Sequence, residues 1–214
     1  MTILIAEIGH NHLGNMTLAK KLIRLARENG ADLVKFSLYD SKEYPEFKDT
    51  KLSKEQAKML FDYGNEVGIE VFFSVFDIER VKWCEEIGVK RYKIACSQRN
   101  NARLAKAIPS SSDLIISGDG FEPMVFVRAR YLYCVPKYPA MISDVDFDLM
   151  KGWDGFSDHT IGLDAAKIAL ARGAEIIEKH FAIDHKTGID AEWSMTPSEL
   201  KELKRFENVC QEVL

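Results

Sequence analysis

Five stretches of this chain place polar or ionisable side chains two residues from a neighbour, the spacing that puts both on one face of a β-strand. They are Ile5-Glu7-Gly9, Lys35-Ser37, Lys93-Ala95-Ser97, Gly155-Ser157-His159 and Ile176-Glu178-His180. A charge inside an otherwise apolar strand is expensive to bury unless it is paired or meets a ligand. Two lysines supply ammonium point charges for phosphate and carboxylate. Two imidazoles and a carboxylate suit Mn²⁺, Fe²⁺, Co²⁺ or Zn²⁺. The set therefore points to a doubly anionic substrate plus a metal ion, with His159, His180 and Glu7 all able to reach one ion. Taken singly, a strand-end histidine is ordinarily a satisfied structural residue and a buried lysine an ion-pair partner; the combination shifts the reading towards chemistry. His10, His12 and His185 keep the structural reading. Cys96 and Cys134 read as small packing residues near the site, because no base stands beside either in sequence.

The elements that must position these residues alternate along the whole chain. Short β-rich runs are expected at Ile3–Ile8, Leu33–Leu38, Glu70–Phe76, Tyr92–Cys96, Asp113–Ser117, Tyr131–Val135, Asp154–Ser157 and Glu175–Phe181. Helical patterns fall between them at Thr17–Glu28, Lys54–Val67, Ile78–Ile87 and Asp164–Arg172, followed by Gly30, Gly68, Gly88 and Gly173 as C-terminal caps; Pro197 opens a last helix running to Leu214. Such alternation marks parallel βα units. Eight of them in one domain over residues 1–214 predict an α/β fold, a compact (β/α)8 TIM barrel with short loops, whose active site gathers at the C-terminal ends of the strands. An open doubly wound sheet is disfavoured. Its glycine-rich phosphate turn is missing, and although Gly9 and Gly14 have roughly P-loop spacing, no Lys-Ser or Lys-Thr follows.

Composition narrows the partners. With 29 basic against 33 acidic residues and a formal net charge of -4, the chain has no basic stripe for nucleic acid or an anionic membrane. The N-terminus lacks a basic leader and no apolar run spans a bilayer, so a cytoplasmic protein is expected. The four cysteines, Cys84, Cys96, Cys134 and Cys210, show neither zinc-site spacing nor disulfide density, and read as reduced thiols.

The segments Ala6-Glu7-Ile8-Gly9-His10-Asn11-His12-Leu13-Gly14, Ala31-Asp32-Leu33-Val34-Lys35, Tyr92-Lys93-Ile94, Cys134-Val135-Pro136-Lys137-Tyr138-Pro139, Gly155-Phe156-Ser157-Asp158-His159-Thr160-Ile161-Gly162, Glu178-Lys179-His180-Phe181 and Ser194-Met195 occur in one order. Together they resemble the N-acetylneuraminate (sialic acid) synthase family, with its legionaminic and pseudaminic acid relatives. The resemblance implies a barrel that condenses phosphoenolpyruvate with an N-acetylmannosamine-like aldose, releasing phosphate and giving a 2-keto-3-deoxy nonulosonic acid. It implies His159 and His180 as ligands of a divalent metal, Mn²⁺ first and Mg²⁺ or Co²⁺ as alternatives. It implies Glu7 beside the metal and the aldehyde, Lys35, Lys93 and Ser157 on phosphoenolpyruvate, and Tyr138, Asp190, Ser97, Gln98 and Asn11 as further substrate contacts. A homodimer is implied too, and the family's C-terminal antifreeze-like domain, for which this sequence has no match, leaves open a separate chain that supplies it. The chain departs from the family pattern at Ser37, Val75-Phe76, Ala95-Cys96-Ser97-Gln98 and around Pro136, and the loop after the second strand is short. These departures fall mainly on the sugar side. They keep open a related phosphoenolpyruvate-dependent synthase acting on another sugar, such as a sugar phosphate for which Lys137 and Arg99 are the few candidate cations, and a non-catalytic anion- and metal-binding barrel.

Overall fold

Strand-forming runs rich in Val, Ile, Leu and Phe are buried on both faces only when helices cover one side and a packed interior the other. The computed structural model, which describes residues 2–120 and 129–213, shows how this is met. Eight parallel strands close in sequence order: β1 (Ile3–Gly9), β2 (Leu33–Leu38), β3 (Glu70–Val75), β4 (Arg91–Ile94), β5 (Asp113–Gly118), β6 (Arg130–Cys134), β7 (Gly155–Asp158) and β8 (Ile176–His180), with β8 pairing β1. All eight expected strands are present, with β2 at its expected bounds and the other ends displaced by at most two residues. The helices among the described residues are α1 (Met16–Glu28), α2 (Lys54–Val67), α3 (Ile78–Ile87), α4 (Ala102–Ala107), α5 (Asp164–Ala171) and α6 (Pro197–Val213). Leu214, the expected end of the last helix, lies outside the described residues.

The caps explain the helix boundaries. Asn15 accepts from the amides of Thr17 and Leu18 to start α1, Ser53 and Gln56 form a reciprocal capping box on α2, and Asp77 caps α3. Gly68 and Gly88 close α2 and α3 in the left-handed region. The connection from β6 to β7 has no α-helix, only the 3₁₀ turns Ile142–Asp144 and Leu149–Gly152, which is one way the barrel stays small. The short helix α4, capped by Asn101, has too few turns to show a periodic pattern and was not expected.

Two local features set the site. β1 runs one residue past its expected end into Gly9, where the register with β2 shifts and φ is +50°. A Cβ there would stand 2.9 Å from Glu7 Oε1, so only glycine lets the Glu7 carboxylate lie back over the strand end. β4 ends two residues early, because Ala95 leads into a 3₁₀ turn over Cys96–Gln98 that bends the chain over the barrel mouth. On the outer face of β7 and β8, the fully buried pair Lys179 and Asp158 lies at 2.9 Å, and Lys179 also donates to the Thr160 carbonyl at 2.6 Å. That clamp fixes the two strand ends carrying His159 and His180.

Candidate active site at the barrel mouth

A cavity of about 440 Å³ opens at the C-terminal ends of the strands. Its floor is a network of four buried charges. Lys35 Nζ lies 3.0 Å from Glu7 Oε2 and 3.0 Å from Glu178 Oε2, while Lys93 Nζ lies 3.5 Å from Glu178 Oε1. Lys93 also donates to Ser117 Oγ at 2.6 Å, and the Ser157 hydroxyl donates to Glu178 Oε1 at 2.9 Å. Strand register makes this possible: Glu7 is the partner of both Lys35 and His180, and Ser157 of Glu178.

Burial and pairing pull these groups apart in acidity. Desolvation pushes the Glu7 carboxyl above its ordinary value despite Lys35, and pushes Lys93 below the ordinary lysine value despite Glu178. Glu178 is also penalised by burial, but two lysines and the Ser157 hydroxyl outweigh this and hold it at about 2. Lys35, flanked by two carboxylates, ends above its ordinary value although burial opposes it. Glu178 is thus the stronger acid of the floor's two carboxyls and Glu7 the weaker.

Above the floor stand the two histidines, ring centroids 5.7 Å apart. His159 Nδ1 is 2.8 Å from the Val135 carbonyl, to which it must donate, leaving Nε2 as the lone-pair nitrogen. Burial holds His159 down at about 4, so it is neutral at pH 7. His180 Nδ1 faces Asp190 Oδ2 at 3.3 Å; burial disfavours the imidazolium, but Asp190 reverses this and the pKa is raised. The expectation that Glu7 joins both histidines around one point is not met in this arrangement. Glu7 is turned to Lys35, and among the described residues no group of three or more His, Cys, Asp or Glu side chains is arranged to hold a metal.

Tyr138 is half-exposed at the rim, its ring centroid 4.3 Å from that of His159, with Trp193 beside it. Ser97 lines the cavity, and Asp190 lines it beside His180. Asn11 and Gln98, expected at the substrate, do not line it. Asn11 is wholly buried, donates to the Phe181 carbonyl and Ser194 Oγ, and accepts from the Asp190 amide at 2.9 Å; it braces the loop that carries Asp190. Gln98 donates to the Tyr44 hydroxyl at 3.1 Å and accepts from Asn101, supporting a wall from behind.

That wall was not foreseen. Phe47, in the segment Pro45–Thr50, stacks on His10 at 4.0 Å, and Tyr39, Tyr44 and Phe76 complete an aromatic side of the cavity. His10 is held by the Thr50 hydroxyl at 2.9 Å, and His12 accepts from the Gly14 amide. His185 is an exposed partner of Glu199.

Three histidines buried in the neutral form make a testable pH signature. Burial lowers His10, His12 and His159 to about 4 from 6.5. Between those values the unfolded chain binds more protons, so their contribution is complete above pH 6.5 and is lost as pH falls towards 4. Glu7, whose carboxyl burial raises, and His180, which Asp190 raises, shift the opposite way and oppose part of this. Urea unfolding of metal-free protein should show stability falling from pH 6.5 to 4.5, with a slope approaching roughly two protons. A midpoint constant over this window would contradict the placement of these rings.

A model of the NeuB family matches residues 40–213. The chain belongs to the NeuB family. Among its relatives, N,N'-diacetyllegionaminic acid synthase of Legionella pneumophila is 30% identical over an alignment covering 94% of this chain and 69% of that protein. Human N-acetylneuraminate-9-phosphate synthase is also 30% identical, with 99% and 70% covered. The crystal structure of N-acetylneuraminic acid synthetase from Leptospira borgpetersenii serovar Hardjo-bovis, in complex with citrate, superimposes with a TM-score of 0.90 at 29% identity, covering 99% of this chain and 84% of that one. The Legionella alignment is 247 positions long yet takes in 94% of the 214 residues here, so more than 40 of its positions have no counterpart in this NeuB-family chain. Among the described residues no helix is long and apolar enough to cross a membrane.

Proposed function

We propose that this NeuB-family chain is a sugar-acid synthase that condenses phosphoenolpyruvate with an unphosphorylated, N-acetylmannosamine-like aldose, using a divalent metal, Mn²⁺ or else Mg²⁺ or Co²⁺. The observation that carries the reading is the pair of buried lysines, Lys35 from β2 and Lys93 from β4, sharing Glu178 on the cavity floor. Lys35 and Lys93 hold the carboxylate and phosphate of phosphoenolpyruvate, with Ser157 as a further donor. The floor's two lysines, Lys35 and Lys93, already face two carboxyls, Glu7 and Glu178, so part of their charge is spent within the protein. A divalent cation nearby balances the account.

The residues fit an open metal site. His159, oriented by a carbonyl behind it and presenting a neutral lone-pair nitrogen, and His180 next to it would be the protein ligands of such an ion. A bound ion supplies a Lewis acid for the aldehyde oxygen. C3 of phosphoenolpyruvate bonds to the aldehyde carbon, water adds at C2, and the C2–O bond to phosphate breaks, releasing phosphate. Glu7, the register partner of His180 and a carboxyl that burial makes a weaker acid, serves the aldehyde oxygen as it becomes a hydroxyl. Holding both reactants in a walled cavity supplies much of the rate.

Two observations favour an unphosphorylated acceptor. Lys137 is paired with Asp144 at 2.6 Å and Arg99 with Asp119 at 2.9 Å, and neither lines the cavity. The sugar side is aromatic instead, between Phe47 and Tyr138. The test is phosphate release from phosphoenolpyruvate with Mn²⁺ across a panel of aldoses and their phosphates. Release is expected with unphosphorylated N-acyl aldoses and is lost on chelation. Release only with a sugar phosphate would overturn the acceptor, and release with none would overturn the reaction.

A further inference from the structure

Within the cavity wall lies a thiol pair that the proposed chemistry does not use. Cys96 opens the turn after β4, Cys134 ends β6, and both line the cavity while being buried from bulk water. Only a molecule small enough to enter the cavity meets them. Arg99 Nη1 lies 3.6 Å from Cys96 Sγ and donates to the Cys96 carbonyl at 3.0 Å, and Asp119 anchors the same guanidinium at 2.9 Å. The neighbouring Cys134 thiol, together with the Arg99 guanidinium and Lys93, holds Cys96 at about 7 although burial opposes it. Cys134 is correspondingly pushed up. The remaining cysteines differ: burial raises both Cys84 and Cys210, and neither lines the cavity. The sequence suggests packing roles for Cys96 and Cys134 because no base stands beside either; the fold turns the Arg99 guanidinium back onto Cys96 and brings Cys134 to the same cavity.

We propose that Cys96 is a covalent modification site, a cavity-wall nucleophile for small uncharged electrophiles such as hydrogen peroxide, with Cys134 as its hydrogen-bond donor. With peroxide, the Cys96 sulfur attacks one oxygen, an S–O bond forms as the O–O bond breaks, and hydroxide leaves. The sulfur is oxidised by two electrons to a sulfenic acid and the peroxide is reduced. With iodoacetamide, an S–C bond forms and iodide leaves. Either adduct places new atoms on the wall three residues from Lys93.

The test uses the intact folded protein at pH 7, treated briefly with iodoacetamide and read by peptide mass at each cysteine. Because the readout is a mass shift, it is independent of turnover and of the proposed reaction. Cys96 is expected to be alkylated at least roughly tenfold faster than Cys84 or Cys210, as thiolate fraction and access dictate. After peroxide, a dimedone adduct is expected on Cys96. Cys134→Ala should slow Cys96 labelling about tenfold by removing the donor, and Cys134→Ser, which keeps an O–H donor, should restore it. Labelling of Cys96 no faster than Cys84 and Cys210, or a rate unchanged in Cys134→Ala, would overturn the proposal.

Discussion

Glu178→Gln is expected to lower the unfolding free energy by about 3 to 5 kcal/mol, the cost of removing one partner from a buried ion pair. Glu178 is the group on which the cavity floor converges. It lies 3.0 Å from Lys35, 3.5 Å from Lys93 and accepts from Ser157, and it is almost wholly enclosed. Glutamine keeps the shape and one acceptor but leaves two ammonium groups to share Glu7 alone. Lys93, already pushed below the ordinary lysine value by burial, can shed its proton and limit the damage, so the loss should shrink as pH rises. Urea unfolding at two pH values checks both points. A change under about 1 kcal/mol, the range typical of exposed pairs, would mean that the network is open to solvent.

Lys93→Met should weaken phosphoenolpyruvate binding by about 1.5 to 3 kcal/mol, roughly one to two powers of ten. Lys93 and Lys35 enter from separate walls of the barrel and meet at Glu178, so a ligand bridging them loses one charged contact in the variant. Methionine fills nearly the same volume, which limits any packing loss. The metal is proposed to sit at His159 and His180, so Mn²⁺ affinity should change far less. Calorimetric titration of both proteins with each ligand separates the effects. Equal phosphoenolpyruvate affinity would remove Lys93 from the anion site.

Fold and floor were legible in the sequence because both depend on alternation. Glu7, Lys35, Lys93, Ser157, Glu178 and His180 share a face by the two-residue period, and closure of the barrel brings β8 against β1 as the strand count requires. Glu178 was visible at that spacing next to His180, yet its role as the shared partner of two lysines depends on side-chain reach across three strands, which period alone does not give. Asn11 shows the opposite error. A polar residue in a site-like motif was expected at the substrate, but all its hydrogen-bonding capacity goes to holding the Asp190 loop. Phe47 lies in an aperiodic 3₁₀ segment, and its stacking on His10 joins residues 37 positions apart, so nothing local announces the aromatic wall. Cys96 is similar. Its proposed reactivity rests on Arg99 one turn away and on Cys134 from another strand.

The most direct test of the proposed reaction is the mass of its organic product. Phosphoenolpyruvate, N-acetylmannosamine and Mn²⁺ incubated with the protein should yield a 2-keto-3-deoxy acid containing the carbons of both reactants, with phosphate released in equal amount and neither formed after chelation. Intact phosphoenolpyruvate and no carbon–carbon product across the aldose panel, from protein shown to be folded and metal-loaded, would contradict the account.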